Sequence, residues 1–209
     1  MLRILKRRKY AKKEFFMHKR YGFYSLCLIP FLTLLMASGF SWINTNFSVI
    51  GNRGGRRAAF LLWGAFTGNY FYLYTMELME LGGCRDRAAR GFLFCALVLF
   101  VTAVGIPYLP EQVPGLSRWH VQISFMSPLF LAAAQIRFLI VLQKKYGSGF
   151  TLQWAILALL GAGSGILLFS IGIVSTLLEV YVTIGVCLYL RLLDHKLEYF
   201  ISHKISHFV

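Results

Sequence analysis

Apolar residues along this chain run in long blocks. They do not alternate as in a half-buried strand, and they are not confined to one stripe as on a surface helix. Six blocks approach the length of about 20 residues that a helix needs to cross a bilayer: residues 21–43, 58–79, 91–108, 120–142, 151–171 and 174–193. The pattern predicts an all-α fold, a polytopic transmembrane bundle of six helices. A very short connection between the last two blocks predicts a tight antiparallel hairpin. The first long connection, residues 44–57, is polar and holds Gly51, Gly54 and Gly55, which favour backbone turns. The connection after the third block holds Pro107, Pro110 and Pro114, which resist regular helix. The chain divides into a basic leader (1–20), a transmembrane domain (21–193) and a tail (194–209) without a clean period, read as a short interfacial helix.

Composition supports the membrane reading. Of 209 residues, 57% are hydrophobic and 14% charged, where soluble domains carry about 25% charged residues. A soluble fold could not cover its surface with so few charges, which excludes a soluble enzyme, a disordered chain and a disulfide scaffold. The net charge of +14 reflects basic residues beside membrane spans. No nucleic-acid-binding motif accompanies it, so no nucleic-acid partner is expected. Cys27, Cys84, Cys95 and Cys187 form no CxxC pair and read as small hydrophobes.

Charge also orients the spans. Nine of the 22 Lys and Arg residues lie in the leader. The apolar run that follows is too long for a signal-peptide core, which predicts a retained first helix. With the leader in the cytoplasm, seventeen basic residues face that side and four (Arg53, Arg56, Arg57 and Arg118) face the other, while Arg137 lies within a span. This asymmetry predicts N-in, C-in topology, and the plasma membrane is the expected location. The leader is also expected to touch anionic lipids, which attract basic residues by about 1 kcal/mol each.

Polar side chains inside spans face protein or water rather than lipid. The fourth block carries His120, Ser124, Ser127 and Gln135 near one helical face, and the sixth carries Thr176, Glu179, Thr183 and Cys187. The second block adds Thr67 and Asn69. At about 1.5 Å of rise per residue, His120, Ser124 and Glu179 share a level in the outer half, with Asn69 deeper. The pattern predicts an outward-opening polar pocket under the 44–57 connection, lined by Asn69, His120, Ser124, Glu179 and Thr183. Glu179 is a site candidate because a carboxylate in a span is expensive, although a structural hydrogen-bonding role competes with that reading. His120 opens its helix at the interface, where a solvated histidine is ordinary. Gly64 and Gly68, and likewise Gly161 and Gly165, are spaced for close helix packing, within the bundle or in an oligomer.

The chain has no Walker, GxSxG or HExxH motif, and no metal or cofactor is expected. The leading expectation is a non-enzymatic membrane protein whose pocket takes a lipid headgroup or small solute. A lipid-modifying enzyme using His120 as base with Glu179, and an assembly partner of other membrane proteins, are the alternatives.

Three features occur in order: Asn46-Phe47-Ser48-Val49-Ile50-Gly51-Asn52 in the first outer connection, Trp119-His120 opening the fourth block, and Glu179 early in the sixth. Together they resemble the Frag/DRAM/Sfk group of six-helix membrane proteins and the related bacterial family of unknown function. Val49 stands where that group carries an acid, and no Trp follows Glu179. The resemblance implies that Ser48, Gly51, His120 and Glu179 form one outer-facing cluster. Eukaryotic members of the group are associated with lipid-anchor remodelling, lysosomal processes and membrane organisation.

Overall fold

The computed structural model describes residues 21–53 and 55–206, and the basic leader lies outside the described residues. Most of those described are helical, with no strand among them. The helices are α1 (Tyr21–Ala37), α2 (Phe47–Arg53), α3 (Arg57–Leu81), α4 (Arg87–Gly105), α5 (Pro114–Tyr146), α6 (Thr151–Ile171) and α7 (Thr176–Ser206). The last four of these are long and apolar enough to cross a bilayer. α1 is shorter. α3 has the length, at 25 residues, but Asn69, Glu77, Glu80 and three tyrosines reduce its apolar character.

Local chemistry sets the helix ends. α1 stops at Ala37 rather than continuing to residue 43, because Gly39 turns the chain with φ 79°. The Arg56 guanidinium donates to the Leu35 and Ser38 carbonyls at this end, at 3.1 and 3.0 Å. Within α1, Pro30 has no N–H to donate, and the turn Tyr24–Leu28 just before it widens to a π-helix. α5 begins six residues before the expected position 120, because Pro114 starts the helix, where its missing N–H costs nothing. α6 ends on Gly172 at φ 79°, a left-handed cap leading into α7. The tail expected from residue 194 is instead a continuation of α7 through Ser206.

α1, α3 and α7 pack together. The α4–α5 hairpin lies against α3, and α6 lies against α7. Gly64 and Gly68 mediate the α3–α4 approach: an added Cβ would lie 2.6 Å from Val104 and 2.9 Å from Phe100. Gly161 and Gly165 do not make the corresponding contact within the chain, since a Cβ at either would meet nothing within 4 Å. Gly163, on the opposite side of α6, packs against Tyr181 of α7. α6 otherwise presents Leu159, Ile166 and Phe169 outward, as a helix bathed in lipid should.

Two apolar clusters fill the interior. One lies beneath α2 and joins Met36, Phe47, Ile50, Phe60, Trp63, Val104 and Val180. The other occupies the far end and includes Tyr21, Tyr74, Leu78, Leu93, Phe138 and Leu193. At that far end Tyr21 stacks on Tyr74 with centroids 4.3 Å apart, and Tyr74 donates to the fully buried Asp194 carboxylate at 2.7 Å.

Arg137, within the fourth apolar block, pairs with Asp86 in the α3–α4 connection at 2.7 Å. Asp86 also caps α4 by accepting from Ala89 N–H at 3.0 Å. That backbone hydrogen bond, followed by the Arg137 guanidinium, holds the Asp86 carboxyl below its ordinary pKa. A lowered folded-state pKa contributes stability above the unfolded value and loses it as pH falls through the folded one. Asp86→Ala is therefore expected to destabilise the protein by about 1 kcal/mol near neutral pH. Thermal unfolding in detergent should show the gap to wild type closing as pH drops below the ordinary carboxylate range.

Candidate functional site: a polar cluster around α2

The short helix α2 organises the polar residues at its end of the bundle. Asn46 caps it, accepting from Val49 N–H at 2.9 Å. Phe47 and Ile50, one turn apart, are buried in the apolar cluster below. Phe47 packs edge-on against Trp63 at 4.8 Å. Gly51 permits the close seat of α2 on α3, since a Cβ there would lie 2.8 Å from Phe60. Its place in the sequence-based cluster thus has a steric explanation.

With the apolar residues pointing inward, Ser48 and Asn52 share another face of α2. Ser48 Oγ lies 2.8 Å from His120 Nε2, and His120 Nδ1 lies 3.1 Å from the Ile106 carbonyl oxygen. A carbonyl only accepts, so Nδ1 carries the proton. In the neutral ring Nε2 then accepts from the Ser48 hydroxyl. Ser124, one turn below on α5, lies 3.4 Å from the same Nε2. Pro128 has no N–H for the Ser124 carbonyl four residues earlier, which weakens helical bonding beside the cluster. The Tyr108 ring lies 5.4 Å from the imidazole. His120 is 3% exposed, so it is enclosed rather than solvated as its position at the head of a span suggested. Ser48 is half-buried.

Arg57 closes this side of the cluster. It donates to Asn52 Oδ1 at 3.1 Å and to the Gly105 carbonyl at 2.7 Å, and Asn52 donates to the Ser48 carbonyl at 2.7 Å. One cation thereby ties α2 to the end of α4.

Glu179 approaches α2 from the opposite side. Its carboxylate accepts from the Phe47 N–H at 2.6 Å. The start of α7 is fixed to the same connection by Thr176 N–H to the Thr45 carbonyl at 2.6 Å and Leu177 N–H to the Trp42 carbonyl at 2.8 Å. Ser48 and Phe47 are adjacent, so His120 and Glu179 meet α2 at neighbouring residues. They share this helix and do not hydrogen-bond one another among the described contacts.

The remaining candidates lie elsewhere. Asn69 is exposed and donates to the Ala65 carbonyl of its own helix at 2.8 Å, so it does not join the cluster. Thr183 is buried one turn below Glu179. Ser127 and Gln135 bond across to Ala96 O at 3.0 Å and Thr75 Oγ1 at 3.1 Å, away from His120. Sequence reasoning did not select Asn52, Arg57 or Ile106. The Ser48–Asn52 spacing of one helical turn was visible for Asn52, but an acceptor carbonyl leaves no trace in side-chain pattern.

The described residues hold no strand, and their four bilayer-length apolar helices with wide apolar faces turned outward define a multi-pass membrane protein. Compared with known proteins, the chain matches no family model, no curated protein and no solved structure.

Proposed function

We propose that the protein spans the plasma membrane six times, with both termini cytoplasmic, and receives a phosphate-bearing lipid headgroup at the outward-facing α2 cluster. The observation that carries this reading is the concentration of Ser48, His120, Ser124 and the Arg57 guanidinium at one end of an otherwise apolar bundle. Arg57 contributes a planar cation suited to phosphate, while the Ser hydroxyls offer hydrogen bonds. The charge asymmetry of the connections supports placing this end outside. The order of the α2 sequence, His120 and Glu179 supports kinship with the Frag/DRAM/Sfk group.

Phospholipid retained through purification, measured by native mass spectrometry, tests the reading. Wild type is expected to retain a phosphate-bearing lipid. Arg57→Gln should weaken retention about tenfold, the loss expected for one charge-assisted contact. Lys144→Gln, at an exposed position at the end of α5 remote from α2, should not change it. Equal retention by Arg57→Gln and wild type would count against the headgroup site.

A further inference from the structure

We propose that Ser48 and His120 form a nucleophile–base pair that cleaves a carboxylic ester of the lipid bound at the α2 cluster. This inference rests on the headgroup reading and adds a reaction to it.

The geometry supplies the elements of such a pair. Ser48 Oγ and His120 Nε2 are within hydrogen-bond reach at 2.8 Å, the separation at which a base can take the hydroxyl proton. The Ile106 carbonyl, 3.1 Å from Nδ1, fixes the tautomer that leaves Nε2 free to accept. It takes the positioning role that a carboxylate fills in a Ser-His-Asp triad. His120 is almost fully enclosed, while Ser48 is only half-buried. Within the pair the base is enclosed, and the residue that carries the nucleophile is the one with surface exposed. The pair is not required merely to hold α2 down, because Phe47, Ile50, the Glu179 bond and the Asn52–Arg57 bond already do so. Glu179, the expected orienting acid, is engaged with the Phe47 N–H instead, and Ile106 takes its place beside the ring.

The reaction balances with an ester and water alone. Ser48 Oγ attacks the ester carbonyl carbon as its proton passes to His120 Nε2. The tetrahedral adduct collapses, the bond from the acyl carbon to the alcohol oxygen breaks, and that oxygen takes the proton from Nε2. Water then attacks the acyl-serine and gives a proton to Nε2. The Ser48 oxygen leaves and recovers that proton. The products are an alcohol and a carboxylic acid, with no change in oxidation state. Arg57, beside Asn52 on the same face, would hold the lipid phosphate while the ester reaches Ser48.

The test uses the full chain in vesicles of phosphatidylcholine and phosphatidylglycerol, treated with a fluorophosphonate probe. Peptide mass spectrometry locates the adduct, which forms as the serine oxygen bonds phosphorus and fluoride departs. Labelling of wild type at Ser48 is expected, falling as pH drops and the imidazole is protonated. His120→Ala and His120→Gln should each slow it by about 10²- to 10⁴-fold. No adduct at Ser48 in wild type at alkaline pH would overturn the inference, and so would equal labelling rates in wild type and both His120 variants. The wild-type readout stands whether or not a variant folds. Retained lipid measured on the same preparations separates the two readings. Lipid without adduct defeats the nucleophile–base pair and leaves the headgroup site standing, whereas adduct without lipid supports the pair and defeats the headgroup site.

Discussion

Arg191→Met is expected to destabilise the protein by about 3–5 kcal/mol, the cost of removing one partner from a buried ion pair. Asp194 has no exposed side-chain surface, and one of its oxygens receives both Arg191 at 3.3 Å and Tyr74 at 2.7 Å. Without the guanidinium, a carboxylate with no exposed side-chain surface loses a charged partner. Replacing both members, as Arg191→Met with Asp194→Leu, should recover much of the loss, because an apolar pair leaves no charge to compensate. Thermal unfolding in detergent micelles measures both. Additive losses in the double variant would show that the pair does not act as a unit.

Glu179→Leu should destabilise by about 1–3 kcal/mol, because it leaves the Phe47 N–H without its acceptor where the helix is buried. Glu179→Gln keeps an acceptor oxygen and should cost less than about 1 kcal/mol. The distinction assigns Glu179 to fastening α2 rather than to carrying charge. Loosening α2 would also draw Ser48 from His120, so Glu179→Leu should slow any reaction at Ser48 more than Glu179→Gln does. Equal stability of Glu179→Leu and wild type would remove the fastening role.

The long apolar runs made the helical class legible, and the bounds of α6 at 151–171 follow the sequence closely, since its polar flanks and Gly172 coincide with its ends. Other ends depended on contacts distant in sequence. α7 continues past residue 193 where Asp194 finds Tyr74, 120 residues away, and no local period records that partner. α2 was hidden in a connection read as turns. Asn46 as a cap, with Phe47 and Ile50 one turn apart, was its available signal. Within the site, helical spacing placed Ser124 with His120, and the resemblance placed Ser48 there. Spacing alone could not tell that Asn69 turns outward or that Ser127 and Gln135 bond to other helices. Depth put Glu179 and His120 at one level, but their separate approaches to α2 depend on how the helices are arranged around it.

The proposed topology places the α2 cluster at the outer aqueous boundary of the membrane. Single cysteines at two exposed positions in a cysteine-free background, Asn44→Cys before α2 and Arg85→Cys in the α3–α4 connection, test it with a membrane-impermeant maleimide on intact cells. Modification of Asn44→Cys from outside, with Arg85→Cys reactive only after permeabilisation, is the predicted result. External modification of Arg85→Cys, with Asn44→Cys protected until the membrane is opened, would contradict it.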